Sequence, residues 1–247
     1  SAKSVTDCNG SAPPVCRRQR KSCPQDCLTG LALLAVLTFL VGCGSVPFEP
    51  MPKSDLSYAD PVTVRDNFQK TVPSHLKQLQ SVTFQFFGKE MVGLGVLDVD
   101  IRNKTFKLAC STLSGAKLFD LEGTTEKITV HNAAPAFGEY TQEISQAVGQ
   151  DIRYIYFDWT PETIDKIKHS KYKLRLIEKT ANGRVEYTYA GYDRQLTEKR
   201  VYRGWKRLSR IRYFDYTTGK QGIYPRGIVL KNGKFRYRLI IRVKQEL

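Results

Sequence analysis

Most residue types that do chemistry occur in this 247-residue chain, but few stand where chemistry needs them. His75, His131 and His169 are isolated, with no acidic or thiol side chains at metal-ligand spacing. No Gly-x-Ser-x-Gly elbow raises a serine nucleophile, and no phosphate loop is present. Gly93-Leu94-Gly95 lacks the third glycine and the following helix of a dinucleotide fingerprint. Asp98 and Asp100 share one strand face, as solvated surface carboxylates commonly do. The reading is therefore of no enzyme, with no catalytic residues, no metal and no cofactor. Of six cysteines, Cys8, Cys16, Cys23 and Cys27 have seven, six and three residues between them, a poor spacing for zinc. Cys110 alternates with Phe106 and Leu108 and reads as a small apolar core residue.

Cys43 is different. Residues 28–42 form a 15-residue uncharged run, short for a membrane span, which needs about 20 apolar residues. The basic stretch Arg17–Lys21 precedes it and a small residue, Gly42, closes it. Basic flank, short apolar region and small residue together read as a secretory signal peptide over 1–42, removed on maturation. Leu40-Val41-Gly42-Cys43 resembles the lipobox of bacterial lipoproteins. By that resemblance Cys43 becomes a lipidated N-terminus carrying diacylglycerol and a fatty acyl chain such as palmitate. Gly44, rather than aspartate, then favours sorting to the outer membrane by the rule known in enteric bacteria.

Removing residues 1–42 takes away five Lys/Arg and two Asp/Glu, lowering the net charge from +15 to +12. Residues 43–160 carry net −3 and residues 161–247 net +15. In a cytosolic protein that asymmetry would suggest nucleic acid. Behind an export signal the polyanions are lipid headgroups, so nucleic acid is not expected.

Residues 43–60 hold three prolines and read as a lipidated N-terminus and tether. Asp60-Pro61 reads as an N-cap with proline at the first helical position. Val64, Phe68, Val72, Leu76 and Leu79 follow at helical spacing, with a kink or break at Pro73. From Ser81 the period becomes two. Val92, Leu94 and Val96 take one face while Leu97, Val99 and Ile101 take the other, which with nearby glycines predicts a bulge or bend. A helical interlude is expected over 138–170, as two helices separated by the aromatic stretch YIYFDW. Strands return from Lys171, with hairpin signals at Asn182-Gly183 and Asn232-Gly233. From Lys234 to Lys244 apolar and cationic residues alternate, with Ile240 the exception. Residues 61–247 are expected to form a single domain, mainly β with helices (α+β).

The stretch Phe106–Asn132 (FKLACSTLSGAKLFDLEGTTEKITVHN) and the stretch Ile211–Arg242 are similar to the bacterial outer-membrane lipoprotein receptor and its periplasmic carrier, the LolA/LolB-like superfamily. An uncharacterised lipoprotein group within it is the nearest likeness. The resemblance spans about Leu79–Arg242. It implies an incomplete, strongly curved antiparallel β-barrel with a helical lid. It also implies a role in binding acyl chains and receiving or transferring lipoprotein or other lipid cargo at the periplasmic face of the outer membrane. The expected partners are acyl chains or lipidated protein, outer-membrane lipid and a periplasmic carrier protein, with the chain monomeric. Leu113 matches the receptor's protruding membrane-transfer residue, although Ser114 makes this turn one residue longer; alternatively Leu113 folds back as ordinary packing. Phe84, Phe86, Phe106, Phe119, Leu121, Phe235, Tyr237 and Leu239 would line a ligand cavity or fill a solid core, and the resemblance favours the cavity. Trp159 is expected to join this ligand cavity from the lid at the barrel mouth. Arg200, Arg203, Trp205, Lys206 and Arg207 form a candidate anionic-lipid patch or a solvated outer wall. The alternative function is a non-catalytic scaffolding lipoprotein using its basic sheet surface.

Overall fold

The computed structural model describes residues 46–247; Cys43 and the segment 1–42 lie outside the described residues. Asp60 caps the first helix as its sequence requires: the Thr63 N–H donates to Asp60 Oδ2 at 2.7 Å and Pro61 opens α1 (Pro61–Thr71). The helix stops before Pro73, whose ring is incompatible with a continuing turn. Leu76 and Leu79, expected on this helix, instead belong to β1 (His75–Phe86), where Leu76 points inward and is fully buried.

Four hairpin-linked strands follow: β2 (Lys89–Asp100), β3 (Thr105–Thr112), β4 (Lys117–Gly123) and β5 (Ile128–Ala133). A short 3-10 turn (Pro135–Tyr140) leads into α2 (Thr141–Tyr156). The chain then meanders through β6 (Lys166–Ser170), β7 (Lys173–Thr180), β8 (Gly183–Ala190) and β9 (Gln195–Arg203). It ends with β10 (Lys206–Thr218), β11 (Ile223–Asn232) and β12 (Arg238–Glu246). All twelve strands make one antiparallel sheet in the order β5-β4-β3-β2-β1-β12-β11-β10-β9-β8-β7-β6. β5 and β6 do not meet, so the curved sheet is an incomplete barrel, and the two helices cover its inner face. The domain is mainly β with helices, as expected.

The expected second helix over residues 161–170 is absent. That stretch has only Ile164 and Ile167 as large apolar residues, too few for a buried helical stripe. It supplies β6 instead, a five-residue edge strand, exposed throughout, whose Lys166 and Lys168 discourage pairing with another chain. The aromatics Tyr154–Tyr156 extend α2 rather than follow it, because Ile155 and Tyr156 continue the stripe of Ile144, Val148 and Ile152. Nor is there a bulge in β2, whose pairing with β1 and β3 runs without a shift. The apparent change of face arises because Gly93 and Gly95 occupy the inner row ahead of Leu97 and Val99. A Cβ at Gly93 would sit 2.5 Å from the Ser111 carbonyl and 2.9 Å from Leu118 Cδ1. The last strand starts at Arg238, later than its alternation suggests, since Gly233–Tyr237 forms an irregular turn with Arg236 at φ 57°.

The stretch expected to serve as a tether touches the domain. Phe48 stacks on Phe214 at 5.2 Å, Arg242 lies 4.6 Å above the Phe48 ring, and Arg242 Nη2 donates to the Pro47 carbonyl at 2.8 Å. Gly227 makes the socket, for a Cβ there would fall 2.6 Å from that ring. Leu56 is buried and donates its N–H to the Lys171 carbonyl. Gly227→Val should evict Phe48, forfeiting stacking worth ~0.5–1.5 kcal/mol. Limited chymotrypsin digestion should then cut after Phe48 faster than in the parent.

Candidate functional site

The inner face has two halves, each closed by one helix. Over β8 and β10, α1 inserts Phe68 against Tyr189 (5.6 Å), Tyr216 (6.2 Å) and Trp159 (6.4 Å). Trp159 also meets Tyr213 at 6.1 Å, so it packs at the joint between α1 and the segment leaving α2. Over the β1–β4 half lies α2, whose Val148, Ile152 and Ile155 face an apolar cavity of about 40 Å³. Phe84, Phe119 and Leu239 line it from the sheet, together with Met91, Leu108 and Cys110.

That volume is roughly a tenth of the smallest ordinary ligand pocket. With the lid seated, no acyl chain fits.

Of the residues expected to line a cavity, the structure brings Phe84, Phe119 and Leu239 together there. Phe106 packs toward Phe157 at 6.2 Å, and Leu121 is buried in the same core. Phe86 sits half-buried beside Phe84 and Phe87. Phe235 lies in the groove beside α2, and Tyr237 belongs to a polar cluster described below. The helical contribution to the cavity was missed, although Ile144, Val148, Ile152 and Ile155 recur at helical spacing. Met91 had no such signal, being separated from the alternating run by Gly93 and Gly95.

Polar groups hold the lid at defined points. Asp151 on α2 is fully buried and accepts hydrogen bonds from Ser209 Oγ (2.8 Å), Asn232 Nδ2 (2.9 Å) and Tyr237 Oη. Burial outweighs these bonds and raises its carboxyl to about 6. Further along, Tyr213 Oη donates to the Ile155 carbonyl at 3.0 Å, and Gln80 Nε2 donates to Tyr156 Oη at 2.9 Å. Lys199, pushed down to about 8 by burial, donates to the Asp158 carbonyl. Gly149 lets the helix approach β5; a Cβ there would stand 2.7 Å from Ile128 Cγ2. Cys110, the one cysteine among the described residues, is pushed up to about 11 by desolvation and is unreactive while covered.

Strand direction sorts the hairpin tips between the two ends of the half-barrel. The β1–β2, β3–β4, β9–β10 and β11–β12 turns share one end. Leu113 is at the β3–β4 tip and is 72% exposed. The turn is closed without it: Thr112 N–H donates to the Ala116 carbonyl (2.8 Å), Gly115 N–H to the Thr112 carbonyl (3.0 Å), and Gly115 takes φ 87°. Trp205, at the β9–β10 tip, is 96% exposed, with Lys206 and Arg207 beside it.

The structure separates the candidate basic patch. Arg200 is on the outer face among carboxylates, with Glu198 in close contact and Glu186 at 3.9 Å. Glu186 also meets Arg184 at 3.1 Å and Arg175 at 3.5 Å, while Arg210 reaches Glu198. Arg203 lines the groove beside α2. It also pairs across the β9–β10 hairpin with Lys206, so Arg203, Trp205, Lys206 and Arg207 stay at one tip and Arg200 is the residue set apart. Among the described residues no cluster of His, Cys, Asp and Glu could hold a metal, and no helix is long and apolar enough to cross a membrane.

No family model and no curated protein matches the chain. Among solved structures it is similar to a LolA superfamily protein of Nitrosomonas europaea, with a TM-score of 0.51 and 8% identity over 75% of this chain and 91% of that one. The fold is LolA-like. A lipoprotein-sorting protein domain, putatively of the outer membrane, from Vibrio parahaemolyticus follows at TM-score 0.47 and 6% identity, covering 75% of this chain and 91% of that one. In this LolA-like half-barrel, sheet curvature and helix coverage agree with the sequence resemblance, while 8% identity leaves every side chain to be judged on its own contacts.

Proposed function

We propose that this protein is a lipid-anchored envelope carrier that holds acyl chains between α2 and the inner wall of the half-barrel. It receives or passes on lipoprotein or other lipid cargo at the periplasmic face of the outer membrane. The observation that carries this reading is the position of the apolar cavity. It lies beneath a helix tied down by separate polar contacts, so lifting α2 would open a trough lined by Phe84, Met91, Phe119 and Leu239. Cys43, once lipidated, would supply permanent anchoring. Leu113 would enter the membrane only transiently, since burying one leucine is worth roughly 1.5–3 kcal/mol. A periplasmic carrier protein would be the donor, with the receiving chain monomeric. The scaffolding alternative draws less support from the outer face, because much of its cationic surface is occupied by Glu186 and Glu198.

Leu113→Glu tests the proposed division of labour. The side chain is exposed and its turn is closed by other groups, so stability should change by no more than ~0.5 kcal/mol. Binding of a fluorescent C16 fatty acid should persist, while delivery of a lipidated protein to acceptor vesicles should fall at least tenfold. Unchanged delivery would remove Leu113 from the pathway, and loss of fatty-acid binding would show that the tip belongs to the interior site.

A further inference from the structure

Beside the tip that carries Trp205 lies a surface groove unrelated to the apolar interior. Its volume is about 1020 Å³, and it runs along the shared end from the β1–β2 tip to the start of β10. Lys206, Arg207, Lys231, Arg236 and Arg238 line it on one side and Lys89 on the other. Its single carboxylate, Glu90, accepts a hydrogen bond from Gln85 at 2.8 Å. Among the described residues no carboxylate pairs with these cations, unlike the arginines around Glu186 and Glu198. Within this cluster Arg238 has buried Nε and Nη2 atoms with no hydrogen-bond partner among the described residues. Desolvation, reinforced by Arg238, Arg212, Arg210 and Arg207, holds the Lys231 ammonium below its ordinary value. An arrangement of unopposed cations with unused donors asks for an anion.

The neighbouring apolar residues identify what presents it. Phe87, at the tip of the β1–β2 hairpin, is 68% exposed, lines the groove and holds φ 46°, a conformation a bulky residue rarely adopts. Trp205, 96% exposed at the β9–β10 tip, immediately precedes Lys206, which lines the groove. A soluble phosphate would gain nothing from these two aromatics, whereas a bilayer surface offers phosphates at one depth and acyl carbons just below it. Aromatic rings beside Lys and Arg fit that boundary.

We infer that the groove between the β1–β2 and β9–β10 hairpins docks anionic phospholipid headgroups, with Phe87 and Trp205 inserted beside them. Leu113 stands at the same end, so docking would also bring the proposed transfer tip to the bilayer. The inference is independent of whether the interior takes lipid.

Trp205 reports the docking directly, because the second tryptophan, Trp159, is buried. The full chain is reconstituted into vesicles of phosphatidylcholine, or of phosphatidylcholine with 30% phosphatidylglycerol (about a third anionic, as a membrane-surface probe), each with brominated acyl chains. Bromine should quench a component of the emission on anionic vesicles, and this component should be missing from Trp205→Phe. Lys206→Gln with Arg236→Gln, both exposed, should return quenching to the neutral-vesicle level. High salt should do the same, since surface charge is screened over ~3 Å at 1 M. Trp205 emission unquenched on anionic vesicles would overturn the inference. Equal quenching on both vesicle types, or quenching unaffected by the double variant, would overturn the headgroup site. Fatty-acid binding, measured in parallel, reports on the interior separately.

Discussion

Asp151→Asn should abolish a pH dependence of stability that the parent protein shows between about pH 4 and pH 7. The Asp151 carboxyl is raised by burial to about 6 from 3.8. The folded state therefore holds a proton that the unfolded chain has released, and stability from this group is fully present below pH 3.8. It is lost as pH rises through 6. A shift of about 2 units corresponds to ~3 kcal/mol, a factor of roughly 100 in the folding equilibrium. Ser209, Asn232 and Tyr237 face the carboxyl from β10, β11 and the β11–β12 turn, and all remain neutral across this range. Other acids titrate too: Asp60 and Asp100 are held low by hydrogen bonds from Thr63 and Asn103 and favour the opposite slope. The difference between parent and variant cancels them. Urea unfolding at pH 4.5 and 7.5 should give a parent-minus-variant stability that falls by about 2–3 kcal/mol on going to the higher pH. An unchanged difference would mean that water reaches Asp151 and that it does not seal the lid.

Gly149→Leu should strain α2 away from the sheet while leaving every residue of that polar cluster unsubstituted. The glycine lies against Ile128, where even a Cβ would be 2.7 Å from Cγ2, and a leucine forces the helix or the strand to move. Overpacking of this kind costs ~1–3 kcal/mol. Because the strain acts between lid and sheet, much of it should appear in the opening equilibrium. Cys110 beneath α2 reads this out, with its thiol buried and its pKa raised to about 11. Alkylation of Cys110 by iodoacetamide under native conditions should accelerate by about tenfold or more, since 1.4 kcal/mol is tenfold in an equilibrium. A fall in global stability with no change in alkylation would place the strain elsewhere.

Strand alternation made the sheet legible, because water on one face and core on the other leave a two-residue period in Phe84, Phe106, Phe119 and Leu239. It also located Leu113, whose exposure follows from sitting in a turn with no apolar neighbour in register. The lid was half legible. The Asp60-Pro61 start of α1 was local chemistry, whereas Leu76 and Leu79 fit a helix and a strand equally until β1 found partners on both sides. Nothing local distinguishes Phe84 beside the cavity from Phe106 against Phe157; that choice is made by how the lid lies across the sheet. The cationic groove was harder still. Its residues come from five strands and two turns, so Trp205 and Lys206 were visible as neighbours but Phe87, Lys231 and Arg238 were joined to them only by folding. Arg200 looked equivalent to Lys206 in sequence and is not, because folding surrounds it with carboxylates.

The most direct test of the carrier reading uses a C16 fatty acid bearing a photoactivatable diazirine on its chain, irradiated with the purified protein and mapped by peptide mass spectrometry. Adducts on Met91, Leu108, Ile152 or their immediate neighbours, displaced by unlabelled palmitate, are the expected result. Adducts confined to Phe87, Leu113, Trp205 or other surface residues, or no displaceable adduct, would contradict an acyl-binding interior.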